Sequence, residues 1–370
     1  MDEALPPPGE AVEWLGSRIG DPLTTRLLSD RRGSRAWRVQ GPRGTVALKT
    51  NAPHAGTAGI TEAAGTVEAA RYKAAEMAQE DEHLVRLVDA GALDPGYRVG
   101  AGAWRGGRWL AVRWVDGRPV WNAFGGVRDE GVRGGGGPAV RGGGHPAPRT
   151  AGHPVADTSA LPNHPASPHP APHGAHPASP QPAPPGTHPG DPRPGDPLRR
   201  PWILGVARTW AGHLARMHAV GWVHADVQPT NTLVTDDGRA VLVDYALACG
   251  PGGGRRLPYR GALTHTTAPE IADALLSTPA DVHLQAGPEA DVWGLGASLF
   301  WCWTGRRPVF YEDGEDRREK LAAIARGGTV SLPEARPWPF PEFEDVIAAC
   351  LEPAPGDRPT AAALVGLLTR

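Results

Sequence analysis

The sequence predicts an α+β fold, and three observations carry that prediction. Short apolar and β-branched runs crowd the first third of the chain: Leu23–Leu28, Ala36–Val39, Thr45–Lys49 and Trp109–Gly117, set off by Gly, Pro, Asn and Ser, which is how strands punctuated by turns read. From about residue 199 onward apolar residues return at helical spacing, with Ile203, Val206, Trp210, Leu214 and Met217 on one side of a helix. Between these halves, from Gly125 to about Leu198, the chain is rich in Gly, Pro, Ala and His and almost devoid of aliphatic residues larger than Ala. Such a stretch buries too little surface to offset the entropy of ordering itself, so it is expected to be a disordered insert.

Composition narrows the partners. In 370 residues Lys plus Arg total 38 against 40 for Asp plus Glu, a net charge of −2, so no global field draws the chain to nucleic acid or to acidic lipid. The three cysteines, Cys249, Cys302 and Cys350, are far apart and form no C-x-x-C pair, which argues against zinc and for a reducing cytoplasm. The acidic, proline-rich start, Met1-Asp-Glu-Ala-Leu-Pro-Pro-Pro8, does not read as a signal peptide. The most apolar run, Val292 to Trp303, is well short of the roughly 20 residues that cross a bilayer. It reads as a buried core helix.

The elements follow in order. Ser29-Asp-Arg-Arg-Gly-Ser34 joins the first two strands, with Gly33 at the turn and Arg31, Arg32 and Arg35 around it. Lys49 ends the third strand. Thr61 to Gln79, rich in Ala, Glu, Lys and Met and free of proline, reads as a helix. His83 to Gly91 and Trp109 to Gly117 read as further strands, and Trp121 to Phe124 as the start of a helix. In the insert His-Pro recurs from His145 to His188, a pattern read as low-complexity drift rather than a metal site. Thr235-Asp-Asp-Gly-Arg239 reads as a hairpin turn between two short strands.

The chemistry is concentrated in Gly221-Trp-Val-His-Ala-Asp-Val-Gln-Pro-Thr-Asn-Thr-Leu-Val234 and Val241-Leu-Val-Asp-Tyr-Ala246. Asp226 and Asn231 share a loop, and Asp244 ends an apolar run. Two carboxylates and an amide brought together in this way suit phosphoryl transfer, where the protein positions groups and supplies charge.

These stretches resemble the catalytic and magnesium loops of eukaryotic-like protein kinases, as found in bacteria. His224-Ala225-Asp226 stands where H-R-D stands, Asn231 at its Asn, Asp244-Tyr245-Ala246 at D-F-G, and Thr45-Val-Ala-Leu-Lys49 at V-A-I-K. Ala268-Pro-Glu270, Asp291-Val-Trp-Gly-Leu-Gly296 and Gly356-Asp-Arg-Pro-Thr360 match three later motifs that set protein kinases apart from small-molecule phosphotransferases. The resemblance implies a bilobal fold with a small β-rich lobe and a mainly helical one. It divides the chain into an N-terminal extension (1–19), the small lobe, hinge and start of the large lobe (20–124), the insert (125–198) and the rest of the large lobe (199–370).

The implied activity is ATP- and Mg2+-dependent phosphorylation of Ser or Thr in a protein substrate. Asp226 orients the hydroxyl, Lys49 contacts the α- and β-phosphates, and Asn231 and Asp244 hold metal. Glu68 is the expected partner of Lys49, with Glu76 the other choice. Gly33 keeps the place of a lid usually carrying three glycines. The Arg113 carbonyl and Val115 amide, with Val112 behind them, take the nucleotide base. Structural roles fall to Glu270, paired with Arg358, and to Asp291, which accepts N–H bonds from the catalytic loop. The departures are Ala225 for Arg, Ala246 for Gly and Gln228 for the usual Lys near the γ-phosphate, Gln228 keeping a catalytic place because its amide can still donate a hydrogen bond. They keep a nucleotide-binding pseudokinase as the alternative and a small-molecule phosphotransferase as a more distant one.

Overall fold

Five antiparallel strands make the first lobe: β1 (Thr24–Arg31), β2 (Ser34–Gly41), β3 (Gly44–Asn51), β4 (Arg98–Trp104) and β5 (Gly107–Arg113), in the order β1-β2-β3-β5-β4. The computed structural model describes residues 6–31, 34–51, 60–104, 107–125, 198–251 and 257–369, leaving aside the side chains of Arg31 and of 60–70. Gly33, Arg32, the glycines at 252–254 and the histidine-rich stretch expected as an insert, apart from Gly125 and Leu198, lie outside the described residues. The period of two along β3 sets the site: Val46 and Leu48 turn to one face, against Trp37, Val39 and Trp109, while Ala47 and Lys49 turn to the other. Lys49 therefore looks toward the second lobe.

One element is added here and one expectation is corrected. The N-terminal extension expected over residues 1–19 contains a helix, α1 (Gly9–Ile19), whose Ala11 and Leu15 are fully buried against the outer face of the sheet. Trp14 lies 5.5 Å from Trp109, ring centre to ring centre. A Cβ on Gly100 would stand 2.4 Å from the Trp14 ring, so β4 accepts this helix only because that residue is glycine. The strand expected at His83–Gly91 is the end of a single long helix, α2 (Ile60–Asp89). No Gly or Pro interrupts the chain between Gly65 and Gly91, and Leu84 and Leu87, both fully buried, keep helical rather than alternating spacing.

The second lobe opens with β6 (Gly117–Pro119) and α3 (Val120–Ala123). It resumes with α4 (Arg199–Ala219), the hairpin β7 (Thr232–Thr235) and β8 (Ala240–Leu242), and the helices α5 (Pro269–Ser277), α6 (Pro288–Thr304), α7 (Arg317–Ala325), α8 (Leu332–Ala335), α9 (Pro341–Cys350) and α10 (Ala361–Leu367). The end of α3 meets the start of α4, with the Phe124 and Trp202 rings 5.5 Å apart. Helix α6 is apolar on all sides and is the buried axle of the lobe. Its Gly296 touches α9 so closely that a Cβ would come within 2.5 Å of Cys350. Arg358 donates from both guanidinium NH2 groups to Glu270, at 2.8 Å each, and its side chain is fully buried.

Candidate active site

Three charged groups from three elements meet between the lobes. Lys49 Nζ donates to both carboxylate oxygens of Glu80, at 2.7 and 3.0 Å, and lies 3.5 Å from Asp244 Oδ1. The partner of Lys49 is thus Glu80 rather than Glu68, whose side chain lies outside the described residues. The helix runs three turns past Glu68 before it reaches β3, and ending it at Gln79 hid the glutamate that does so. Burial opposes charge on the ammonium, yet Asp244 and then Glu80 hold Lys49 above its usual pKa, so the ammonium stays charged, while burial pushes Glu80 up to about 7 against the pull of Lys49. Further along the same helix, Gln79 Nε2 donates to the Ala246 carbonyl at 3.0 Å, and His83 Nδ1 lies 2.9 Å from the Tyr245 carbonyl. These contacts tie α2 to the segment that carries Asp244.

The loop before β7 is held from below. Asp291 on α6, itself 1% exposed, accepts the backbone N–H groups of His224 and Ala225 at 2.8 Å each and His218 Nε2 at 2.9 Å. Ala225 and Asp244 are the two non-glycine residues with positive φ among the described residues, at 62° and 68°. Strain of this kind persists where surrounding contacts impose it. Tyr245 is wedged between Tyr97 and His224, with ring centres 5.7 and 5.1 Å away.

Asp226 is buried and its carboxylate is fully engaged. Gln228 Nε2 donates to Oδ1 at 2.7 Å and Asn231 Nδ2 to Oδ2 at 2.6 Å. Burial first, then the charge of Asp244, pushes Asp226 up to about 7, against the pull of the two amides. Gln228 therefore orients Asp226, and its Oε1 takes a hydrogen bond from Thr230 at 2.9 Å. Asn231 Oδ1 is buried with no hydrogen-bond partner. An acceptor left open in this way is what a site for a hard cation provides.

Beside these groups lies a cavity of about 360 Å3, lined by Ala47, Tyr97, Val112 and Val243, by Lys49, Glu80 and Asp244, and by Arg113, Trp114 and Val115 at the link between lobes. Asp226 and Asn231 do not line it, but Thr230, between them in the loop, does. At this link the Arg113 N–H is bonded to the Tyr97 carbonyl at 2.8 Å and the Trp114 N–H to the Thr45 carbonyl at 3.2 Å.

Residues 206–366 match the family model described as the protein kinase domain. Over that segment, somewhat less than half of the chain, it is similar to protein kinases. Among its relatives are the serine/threonine-protein kinase PknK of Mycobacterium tuberculosis, 34% identical over 163 residues, which is 42% of this chain and 13% of that protein. Others are the probable serine/threonine-protein kinase PkwA of Thermomonospora curvata, 32% identical over 159 residues (42% and 19%), and sperm motility kinase 3A of Mus musculus, 32% over 145 residues (39% and 26%). The bacterial matches support a likeness to the eukaryotic-like Ser/Thr kinases, at modest identity. The chain spans 13 to 26% of the length of these relatives. Among the described residues no helix is long and apolar enough to cross a membrane.

Proposed function

We propose that the chain is an ATP- and Mg2+-dependent protein kinase that passes the γ-phosphoryl group of ATP to a Ser or Thr hydroxyl of a protein, in the cytoplasm. The observation that carries this reading is the meeting of Lys49, Glu80 and Asp244 at one cavity, with Asp226 close enough that Asp244 raises its carboxyl. Lys49, fixed by Glu80, contacts the α- and β-phosphates, and the lobe-linking backbone at Arg113 and Val115 receives the base. Asp226, oriented by Gln228, accepts the proton of the attacking hydroxyl as its oxygen bonds to phosphorus and the bond to the ADP oxygen breaks.

Magnesium fits the residues present. The open Asn231 Oδ1 and the Asp244 carboxylate are oxygen donors of the hardness that ion prefers. Bound there it would neutralise charge on the phosphate oxygens. The test is transfer of radiolabelled γ-phosphate from ATP to the protein itself and to a generic basic protein, with and without Mg2+. The expected result is Mg2+-dependent label on Ser or Thr that falls about 10^2- to 10^4-fold in Asp226→Asn.

A second reading, nucleotide binding without turnover, is favoured by Gln228, which brings no positive charge to the catalytic loop. Tight nucleotide binding with no Mg2+-dependent transfer would establish that reading and overturn the first.

A further inference from the structure

Beside the cavity, whose lining it does not join, α2 carries a second ion pair that phosphoryl transfer, as described, leaves unused. On α2 the Lys73 ammonium is 2.7 Å from Glu76 Oε2, and the two side chains are 13% and 12% exposed. Pairs three apart on a helix usually sit in solvent and contribute little. This one is turned inward. Lys73 precedes Glu80 by two helical turns, so Lys73, Glu76 and Glu80 share the face that holds Lys49. Glu76 also acts across the cleft. Burial raises its carboxyl, Lys73 opposes that and Asp244 adds to it, and its own charge contributes to raising Asp226.

Among the described residues, positive charge is otherwise scarce where phosphates would lie. Lys49 is committed to Glu80 and Asp244. Gln228 is neutral and its amide is shared between Asp226 and Thr230. Of the other cations lining the cavity, Arg113 donates to Asp94 at 2.7 Å, and Arg26 is exposed on β1. An ammonium on a flexible four-carbon stem can leave a carboxylate for a phosphate, and it gains a stronger charge-assisted bond there.

We propose that Lys73 is the cation for the terminal phosphate of the bound nucleotide, with Glu76 holding its ammonium beside the cleft, on the α2 face that carries Glu80, until nucleotide takes it over. This rests on the nucleotide-binding part of the reading above. It gives α2 two phosphate lysine functions: it fixes Lys49 through Glu80 and supplies Lys73 itself.

The test is calorimetric titration of ATP and of ADP, each with Mg2+, into wild type, Glu76→Gln, the double variant Lys73→Met with Glu76→Gln, and Arg26→Met. The double variant removes both charges and so leaves no buried carboxylate unpaired. The expected result is an ATP affinity that drops about tenfold relative to ADP in the double variant alone, with kcat for transfer about 10^2-fold lower and ADP binding unchanged. Adding Gln228→Lys to the double variant should restore part of the loss. Should the double variant fold poorly, Lys73→Gln with Glu76→Gln is read in the same way. An ATP-to-ADP ratio within twofold of wild type, or a loss that follows Arg26 instead, overturns the proposal. Transfer that persists without Lys73 leaves the kinase reading standing and removes this one. A Lys73-dependent preference for ATP in a protein that transfers nothing does the reverse.

Discussion

At the scale of single residues, the least comfortable group in the cleft is Asp226. An aspartate has an ordinary pKa of about 3.9 when unfolded, and in the folded chain burial and Asp244 push it up to about 7. The folded state therefore holds a proton that the unfolded state has released, so wild-type stability falls as pH rises from about 4 to about 7. Asp226→Asn escapes that loss. Its stability relative to wild type should improve by about 4 kcal/mol across that window and level off above it, as read by urea melts from pH 4 to 8. A flat difference would mean that Asp226 ionises as freely as a surface carboxylate. Its identity was plain from the spacing to Asn231 and Asp244, whereas the role of Gln228 was not. A glutamine in place of a lysine reads as a lost charge, and only the 2.7 Å bond to Asp226 shows what the amide does.

At the scale of elements, legibility depended on length and on breakers. The run at Thr45–Lys49 was readable because glycine and proline fence it and one alternating period fits it. The end of helix α2 is hard to read, because His-Leu-Val-Arg-Leu-Val imitates a strand when taken without the helix that feeds it, and a helix ending at Gln79 offers Glu68 to Lys49 where the full helix offers Glu80. Helix α1 went unread behind its prolines, although Leu15 and Ala11 at helical spacing were a usable signal. Its buried face predicts that Leu15→Ala costs about 2 to 4 kcal/mol, measured as a drop in thermal or denaturant midpoint. An unchanged midpoint would show that the helix adds nothing to the core.

At the scale of the whole molecule, the two lobes are joined through a few polar links: Lys49 to Asp244, Gln79 and His83 to the backbone after Asp244, and the chain at Trp114. The bilobal plan was legible because the late motifs, Glu270 with Arg358 and Asp291 beneath the catalytic loop, are tied to contacts that only this arrangement makes. The contact of Phe124 with Trp202 brings the two sides of the 126–197 stretch together. Replacing that stretch with a short Gly/Ser linker should shift the melting temperature by no more than about 2 °C, since loop length alone changes closure entropy slowly. A collapse of the transition would assign the stretch a place in the core.

The central claim is that Asp244, Asn231 and Lys49 serve one metal-bound nucleotide. It is tested most directly by measuring ATP affinity with and without Mg2+ in wild type and in Asp244→Asn. The account predicts that Mg2+ tightens ATP binding to wild type and that this gain disappears in the variant while metal-free binding survives. Equal affinities with and without the metal in wild type, or the same Mg2+ gain in the variant, would contradict it.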